Sequence, residues 1–361
     1  PPPLVQKGVM AMAIIPETND NQNPDNWNEQ QDLSSGVYNT VPAGSRRLSQ
    51  DLQWIESVYD LVNRNAHEAN SLGFSSWIFT QVSLPYQDPG KHGSKAWVRR
   101  NGDMTMTLTP AVNVDDNGNI SLEYPFGKYP RLILPWITTQ VVRCQADIDN
   151  DGTLTLPVAD SLRAFMEEIG QSWGGKSGRI VRDQTRRLLS SSISVSQRLT
   201  ALPGRDERVR MRQMNVADSF ALWWGRDAGL EDDGAVPLWG NEVCLSAPFV
   251  QSVLNNPIPT DLRALKLLSD KGGSMAMDIY SWMAYRLYTA RKPSLITWET
   301  LASQFGSRTK ETWKFKQQFV AKLDVVKIVY RSARFCVQDE GLLIFPSPSP
   351  LGDVSRGKIQ S

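Results

Sequence analysis

Residues 170–177 read GQSWGGKS, a string that satisfies G-x-x-x-x-G-K-[ST] at every position. In nucleotide hydrolases a loop of that spelling wraps backbone N–H groups around phosphates and sends its lysine, here Lys176, toward them. Such a loop needs a strand before it and a helix after it. The preceding residues, LRAFMEEIG, carry apolar side chains at a 3.6-residue period instead, which predicts a helix. No strand ending in aspartate follows to serve a magnesium ion. The string is therefore expected to be a turn between two helices. Lys176 and the amides of the following helix start still suit a phosphate.

The other residue types that do chemistry are sparse. Two histidines, His67 and His92, stand apart, which argues against histidine-based metal sites and against a nicking nuclease with a histidine-held metal and a tyrosine nucleophile. Three cysteines, Cys144, Cys244 and Cys336, lie far from one another with no C-x-x-C pair. They point to a reducing compartment rather than to a disulfide framework or thiolate zinc site. The expectation is a protein that is not an enzyme and uses no cofactor or metal. No run approaches the roughly 18 apolar residues that would span a bilayer, and Gln6 and Lys7 interrupt the opening PPPLVQKGVMAMAII as a signal peptide. A cytoplasmic location with no membrane partner is expected.

Charge carries more information. The formal net charge is +1, but Gly175–Gln213 and Arg291–Arg334 each hold ten Lys/Arg against three acids. Each block is thus +7 and the remainder of the chain −13. Two separate basic blocks suit two contact zones for a polyanion. Charge alone leaves equal room for two solvated helix faces.

The elements that must position these charges occur twice. ILPWITTQVV (133–142) and IYSWMAYRLY (279–288) align without gaps, placing Ile133, Trp136, Ile137 and Val141 opposite Ile279, Trp282, Met283 and Leu287. Both sets have amphipathic-helix spacing. SLRAFMEEIG (161–170) then matches TWETLASQFG (297–306), two further helical stripes each closed by a glycine suited to a left-handed helix end. A third, basic helix follows each. In RIVRDQTRRLLSS, Arg179, Arg182 and Arg186 share a face opposite Val181 and Leu188; in TKETWKFKQQFVAKL, Lys310, Lys314 and Gln317 lie opposite Phe315, Phe319 and Leu323. Strand-like sequence comes next: SISVSQRL with RVRMRQMNV, where Arg208, Arg210 and Arg212 alternate with Val209 and Met211, and KIVYRSARFCVQDEGLLIF with its turn at Asp339-Glu340-Gly341.

Helix, helix, turn, basic helix and hairpin is the order of a winged helix-turn-helix, whose third helix enters the DNA major groove. The expected class is α+β: two tandem winged helix-turn-helix domains preceded by a strand-rich N-terminal segment and a disordered tail. The expected boundaries are a tail over 1–45 and an N-terminal helix and strands over 46–128. The first winged domain covers 129–225, a linker/strand segment 226–260, the second winged domain 261–350 and a C-terminal tail 351–361. The tail is rich in Asn, Gln, Asp and Pro. From Ser49 a helix is expected with Leu52, Ile55, Val58 or Tyr59, and Val62 on one face.

SLPYQDPG, YPRLILPWITTQVVR, VRDQTRRLLSSSIS, PIPTDLRALKLL, DIYSWMAYRLYTARKPSLITWETLASQFG and FPSPSP resemble the plasmid-encoded RepA replication initiator family, from about Ser83 to Pro350. The resemblance implies a protein that binds repeated sequences at its plasmid's origin and helps open the duplex. It also implies work with the host replication initiator, loading of the host replicative helicase and repression of its own promoter. A homodimer is a further possible partner. A dedicated winged-helix repressor with no replication role is the alternative. Pro135 departs from the helix pattern and is expected to kink the first helix or set its start.

The helical wheels place Arg179, Arg182, Arg186, Lys310, Lys314 and Gln317 toward DNA, where arginine can pair with guanine and glutamine with adenine. Lys176, Arg187, Arg308 and Lys316 are expected on phosphates. Arg208 and Arg210 are expected on the hairpin, which can reach the backbone or minor groove.

Overall fold

A computed structural model describes residues 43–114, 117–159, 161–199, 208–222, 241–306 and 311–351. The tails expected over 1–45 and 351–361 lie outside these residues, apart from 43–45 and Leu351. Helix α1 (Ala43–Asn63) begins six residues before the expected start at Ser49. Its expected inward face is split. Trp54, Val58 and Leu61 pack on the core, whereas Leu52, Ile55, Tyr59 and Val62 are exposed. Two stripes with helical spacing lie side by side on this helix, and periodicity cannot say which one the core takes. Asp60 anchors α1 by accepting from Arg263 at 2.7 Å.

Next come β1 (Leu72–Ser76), α2 (Trp77–Gln81), β2 (Trp97–Asn101), β3 (Met104–Thr109), β4 (Ala111–Val114) and β5 (Ile120–Glu123). The first half of the repeat contains α3 (Pro130–Arg143), β6 (Leu154–Pro157), α4 (Leu162–Glu168) and α5 (Gly175–Leu189). After it run β7 (Ser192–Leu199), β8 (Arg208–Asn215), β9 (Ala217–Ala221) and β10 (Glu242–Leu245). Then α6 (Ala247–Asn255), β11 (Pro257–Asp261) and α7 (Leu262–Lys271) lead to the second half. That half is α8 (Gly273–Thr289), β12 (Ser294–Thr297), α9 (Trp298–Phe305), α10 (Thr312–Val329), β13 (Phe335–Val337) and β14 (Gly341–Ile344).

The sheets are small and antiparallel, so the class is mixed α+β as expected. One sheet has the order β12-β14-β13 and another β6-β10-β9. In both, the strand between the first and second helices pairs with the last strand, which also pairs with the one before it. The repeated sequence thus becomes a repeated topology. The sequence, however, suggests that the hairpin directly after α5 fills this role. That hairpin, β7–β8, joins β2 and β3 in a four-stranded sheet of order β2-β3-β7-β8, and the sheet with β6 is completed further along by β9 and β10. The linker/strand segment expected over 226–260 holds β10, α6 and most of β11, with 226–240 outside the described residues.

Joints between the first and second helices match across the halves. Trp136 meets Phe165 edge-on at 5.2 Å, and Trp282 meets Phe305 edge-on at 5.7 Å. Ser161 and Thr297, at aligned positions, accept from the Ala164 and Thr300 amides and so cap α4 and α9. Gly170 and Gly306 follow those helices at φ +72° and +69°, the left-handed endings expected of them.

Helix α3 is buried along nearly its whole length and packs on β1, α5, α6 and α7; α8 packs on α2, α7 and α10. Pro135 lies inside α3, which starts five residues earlier at Pro130, so it does not set the helix start. One buried ion pair ties the two first helices together. Arg131 donates from Nε to Asp278 Oδ1 at 2.7 Å and from Nη2 to Asp278 Oδ2 at 2.8 Å. Its remaining donors reach the carbonyls of Leu84, Pro85 and Gly127. Burial pushes the Asp278 carboxyl up, opposed by Arg131.

Candidate nucleic-acid interface

Helix α5 turns Gly178, Val181, Gln184, Thr185, Leu188 and Leu189 inward. Gln184 is buried because its Oε1 accepts from the Phe126 amide at 2.7 Å, fixing the helix against the chain that leads into α3. The outward face begins with Lys176 and Arg179, both exposed and without a hydrogen-bond or ion-pair partner among the described residues. Arg182 is half-buried and has a partner.

The end of the helix behaves differently. Arg186 pairs with Glu123 and with Asp183, and its hydrogen bond to Glu123 holds the guanidinium above its ordinary range. Arg187 reaches Asp183 at 2.8 Å and Asp88 at 3.4 Å, and stacks toward Phe126. Its side chain is only 17% exposed. The sequence expects Arg187 on a phosphate; of the acids that hold it, Asp183 lies one turn earlier on α5 and Asp88 comes from distant sequence. Its geometry is that of a brace between α5 and the N-terminal segment.

The GQSWGGKS string runs from just after α4 into the first turn of α5, with a helix rather than a strand before it. Gly174 is extended, and the Ser177 hydroxyl donates to the Gly174 carbonyl at 2.9 Å. Lys176 stands in the first turn of α5, where the free amides of a helix start add positive potential.

Helix α10 buries Phe315, Phe319, Leu323, Val326 and Val329. Phe319 touches the rings of Trp298, Phe305 and Phe315. The opposite face presents Trp313, which is 61% exposed, with Gln317 and Gln318. Sequence reading passed over Trp313 because an aromatic in a helical stripe usually belongs to the core. Lys314 is half-buried and pairs with Glu311 at 2.5 Å. Lys316 pairs with Asp339 at the β13–β14 turn and lies over the Trp298 ring. Arg308 and Lys310 lie outside the described residues.

Strand β8 does not extend either repeated sheet. Nothing is described of the Arg208 side chain, while Arg210 and its neighbour Arg212 line a cleft with Trp77 and Tyr285. Among the described residues no cluster of His, Cys, Asp and Glu could hold a metal, and no helix is long and apolar enough to cross a membrane.

Residues 124–300 match the family described as plasmid encoded RepA protein. No curated protein matches the chain. Two crystal structures of domains 2 and 3 of RctB, one of them a selenomethionine derivative, are similar at 11% identity and a TM-score of 0.41. They cover 74% of this chain and 93% of the RctB fragment.

Proposed function

We propose that this chain, a member of the plasmid-encoded RepA family through residues 124–300, is a replication initiator that binds repeated duplex sequences at its plasmid's origin. In this reading each half is a winged helix-turn-helix, α5 and α10 enter successive major grooves, and the wings are β9–β10 and β13–β14. The observation that carries it is the twofold recurrence of helix–strand–helix–helix–strands with one sheet order, each time with a long third helix whose outer face is polar or basic. Lys176 and Arg179 contact phosphate or guanine, and Gln317 has the amide that pairs with adenine. Arg182 and Lys314 flank them. Arg186, Arg187 and Lys316 hold the helices in place through their ion pairs. Two such domains suit direct repeats, with major grooves about one helical turn apart. Origin opening, helicase loading and autorepression follow from the same reading, and a homodimer is compatible with it.

A replicon carrying only the origin region, with this protein supplied in trans, separates an initiator from a dedicated repressor. Maintenance of the replicon is expected. Failure to replicate while a promoter fusion remains repressed would assign the protein to repression alone.

A further inference from the structure

Four arginines that brace the fold each have a carboxylate: Arg131 has Asp278, Arg186 has Glu123, Arg187 has Asp88, and Arg263 has Asp60 and Asp261; a fifth, Arg99, donates to the Val98 and Gly306 carbonyls instead. Arg210, Arg212 and Arg286 do not follow this pattern. They are exposed, their guanidinium groups make no hydrogen bond or ion pair among the described residues, and they line two adjoining clefts. One cleft, of about 480 Å³, lies between β8, the end of α6 and α8, and brings Arg210 and Arg212 together with Trp77 and Tyr285. The other, of about 460 Å³, lies between the β2–β3 turn, α8 and α9, and brings Arg286 together with Trp77. Trp77 and Gln197 stand in the walls of both. Asp103 is the one carboxylate among the residues lining them.

The strand register creates this trough. Gln197 sits across from Arg210 and Val195 from Arg212, so alternate positions of β7 and β8 point the same way. At the inner end of the same face Ile193 and Met214 are buried; at the outer end it emerges as Gln197 and Arg210. Trp77 is brought to the trough by the junction between β1 and α2.

We infer that this trough binds single-stranded nucleic acid. Unpaired guanidinium groups match phosphates in a planar, two-pronged geometry. Trp77 and Tyr285 offer flat faces on which bases stack, a contact any base can make. The amides of Gln197, Asn255 and Asn256 supply both donors and acceptors. Cavities of this size fall within the roughly 300–1,000 Å³ typical of small-ligand pockets and exclude a duplex. The site is distinct from the α5 and α10 faces and goes beyond the duplex binding proposed above.

The test is fluorescence anisotropy with the full chain and a fluorescein-labelled oligo(dT), beside a labelled duplex from the origin region. The wild type is expected to bind oligo(dT) with a log affinity–log salt slope of about −2, from three phosphate contacts at about 0.7 each. Arg210→Ala/Arg212→Ala/Arg286→Ala should remove that slope and most of the binding. Trp77→Ala should weaken it by about tenfold through lost stacking, while Trp77→Phe retains it. All three variants should bind the duplex as the wild type does, since none of these residues lies on α5, α10 or the β9–β10 and β13–β14 wings, and this also reports that they are folded. Lys176→Ala/Arg179→Ala should show the reverse pattern, losing duplex and keeping oligo(dT). The inference is overturned if the triple variant binds oligo(dT) like the wild type, if the wild type does not bind it, or if duplex and single-strand binding fall together. Oligo(dT) binding without any duplex binding would sustain the trough and refute the function proposed above.

Discussion

Replacing Lys176 and Arg179 together by alanine separates a DNA-facing role from a structural one. Both side chains are exposed and have no partner among the described residues, so their loss should leave thermal unfolding unchanged. If each meets a phosphate, the log affinity–log salt slope on an origin duplex should flatten by about 1.8, at about 0.9 per contact. Between 50 and 200 mM salt that is about a twelvefold difference in how steeply wild type and variant lose affinity. Arg187 is the internal contrast on the same helix. At 17% exposed it is held by Asp88, itself 12% exposed, and by Asp183. Arg187→Ala would leave Asp88 without its cation and should destabilise the fold by about 1–3 kcal/mol, discounted from a fully buried pair. Its effect on the salt slope of the folded fraction should be negligible. Anisotropy titrations at four or five salt concentrations, with a melt of each protein, read both quantities. An unchanged slope in the double variant, or a flattened slope with unchanged melting in Arg187→Ala, would refute the division of α5 into a DNA-facing start and a bracing end.

Three further outcomes follow from the packing. Asp278→Ala leaves Arg131 buried with carbonyls and the Tyr86 ring but no carboxylate, and should cost about 3–5 kcal/mol in chemical denaturation. Gly306→Ala forces a side chain into the left-handed region at φ +69° and against the Arg99 guanidinium, a loss of about 1–2 kcal/mol by the same measurement. Phe319→Ala removes the ring that touches Trp298, Phe305 and Phe315, and should cost about 3–5 kcal/mol.

The local grammar of this fold was readable from the sequence. Helical periods located α3, α4, α8, α9 and the buried stripe of α10, and Gly170 and Gly306 marked two helix ends because few other residues adopt positive φ there. What failed was pairing at a distance. The alternation in β7 and β8 announces strands but not partners, so a hairpin that joins β2–β3 was read as part of the first repeated unit. In the same way Arg186 shares a face with Arg179 on a helical wheel and Arg187 lies beside that face; only folding brings Glu123 and Asp88 to them. Lys327–Val329, read as strand, continue α10 because Val326 and Val329 keep its inward period. On α1 the stripe Leu52, Ile55, Tyr59 and Val62 has the spacing of a buried face yet is exposed, since Trp54 and its neighbours meet the core first.

Hydroxyl-radical footprinting of the protein on its own origin region tests the central claim most directly. Two protected stretches per repeat, about one helical turn apart, are expected for the wild type. Lys176→Ala/Arg179→Ala should remove one of them, and Trp313→Ala/Gln317→Ala on α10 the other. A single protected stretch insensitive to one helix, or protection that both variants leave intact, would contradict a duplex read by two tandem modules.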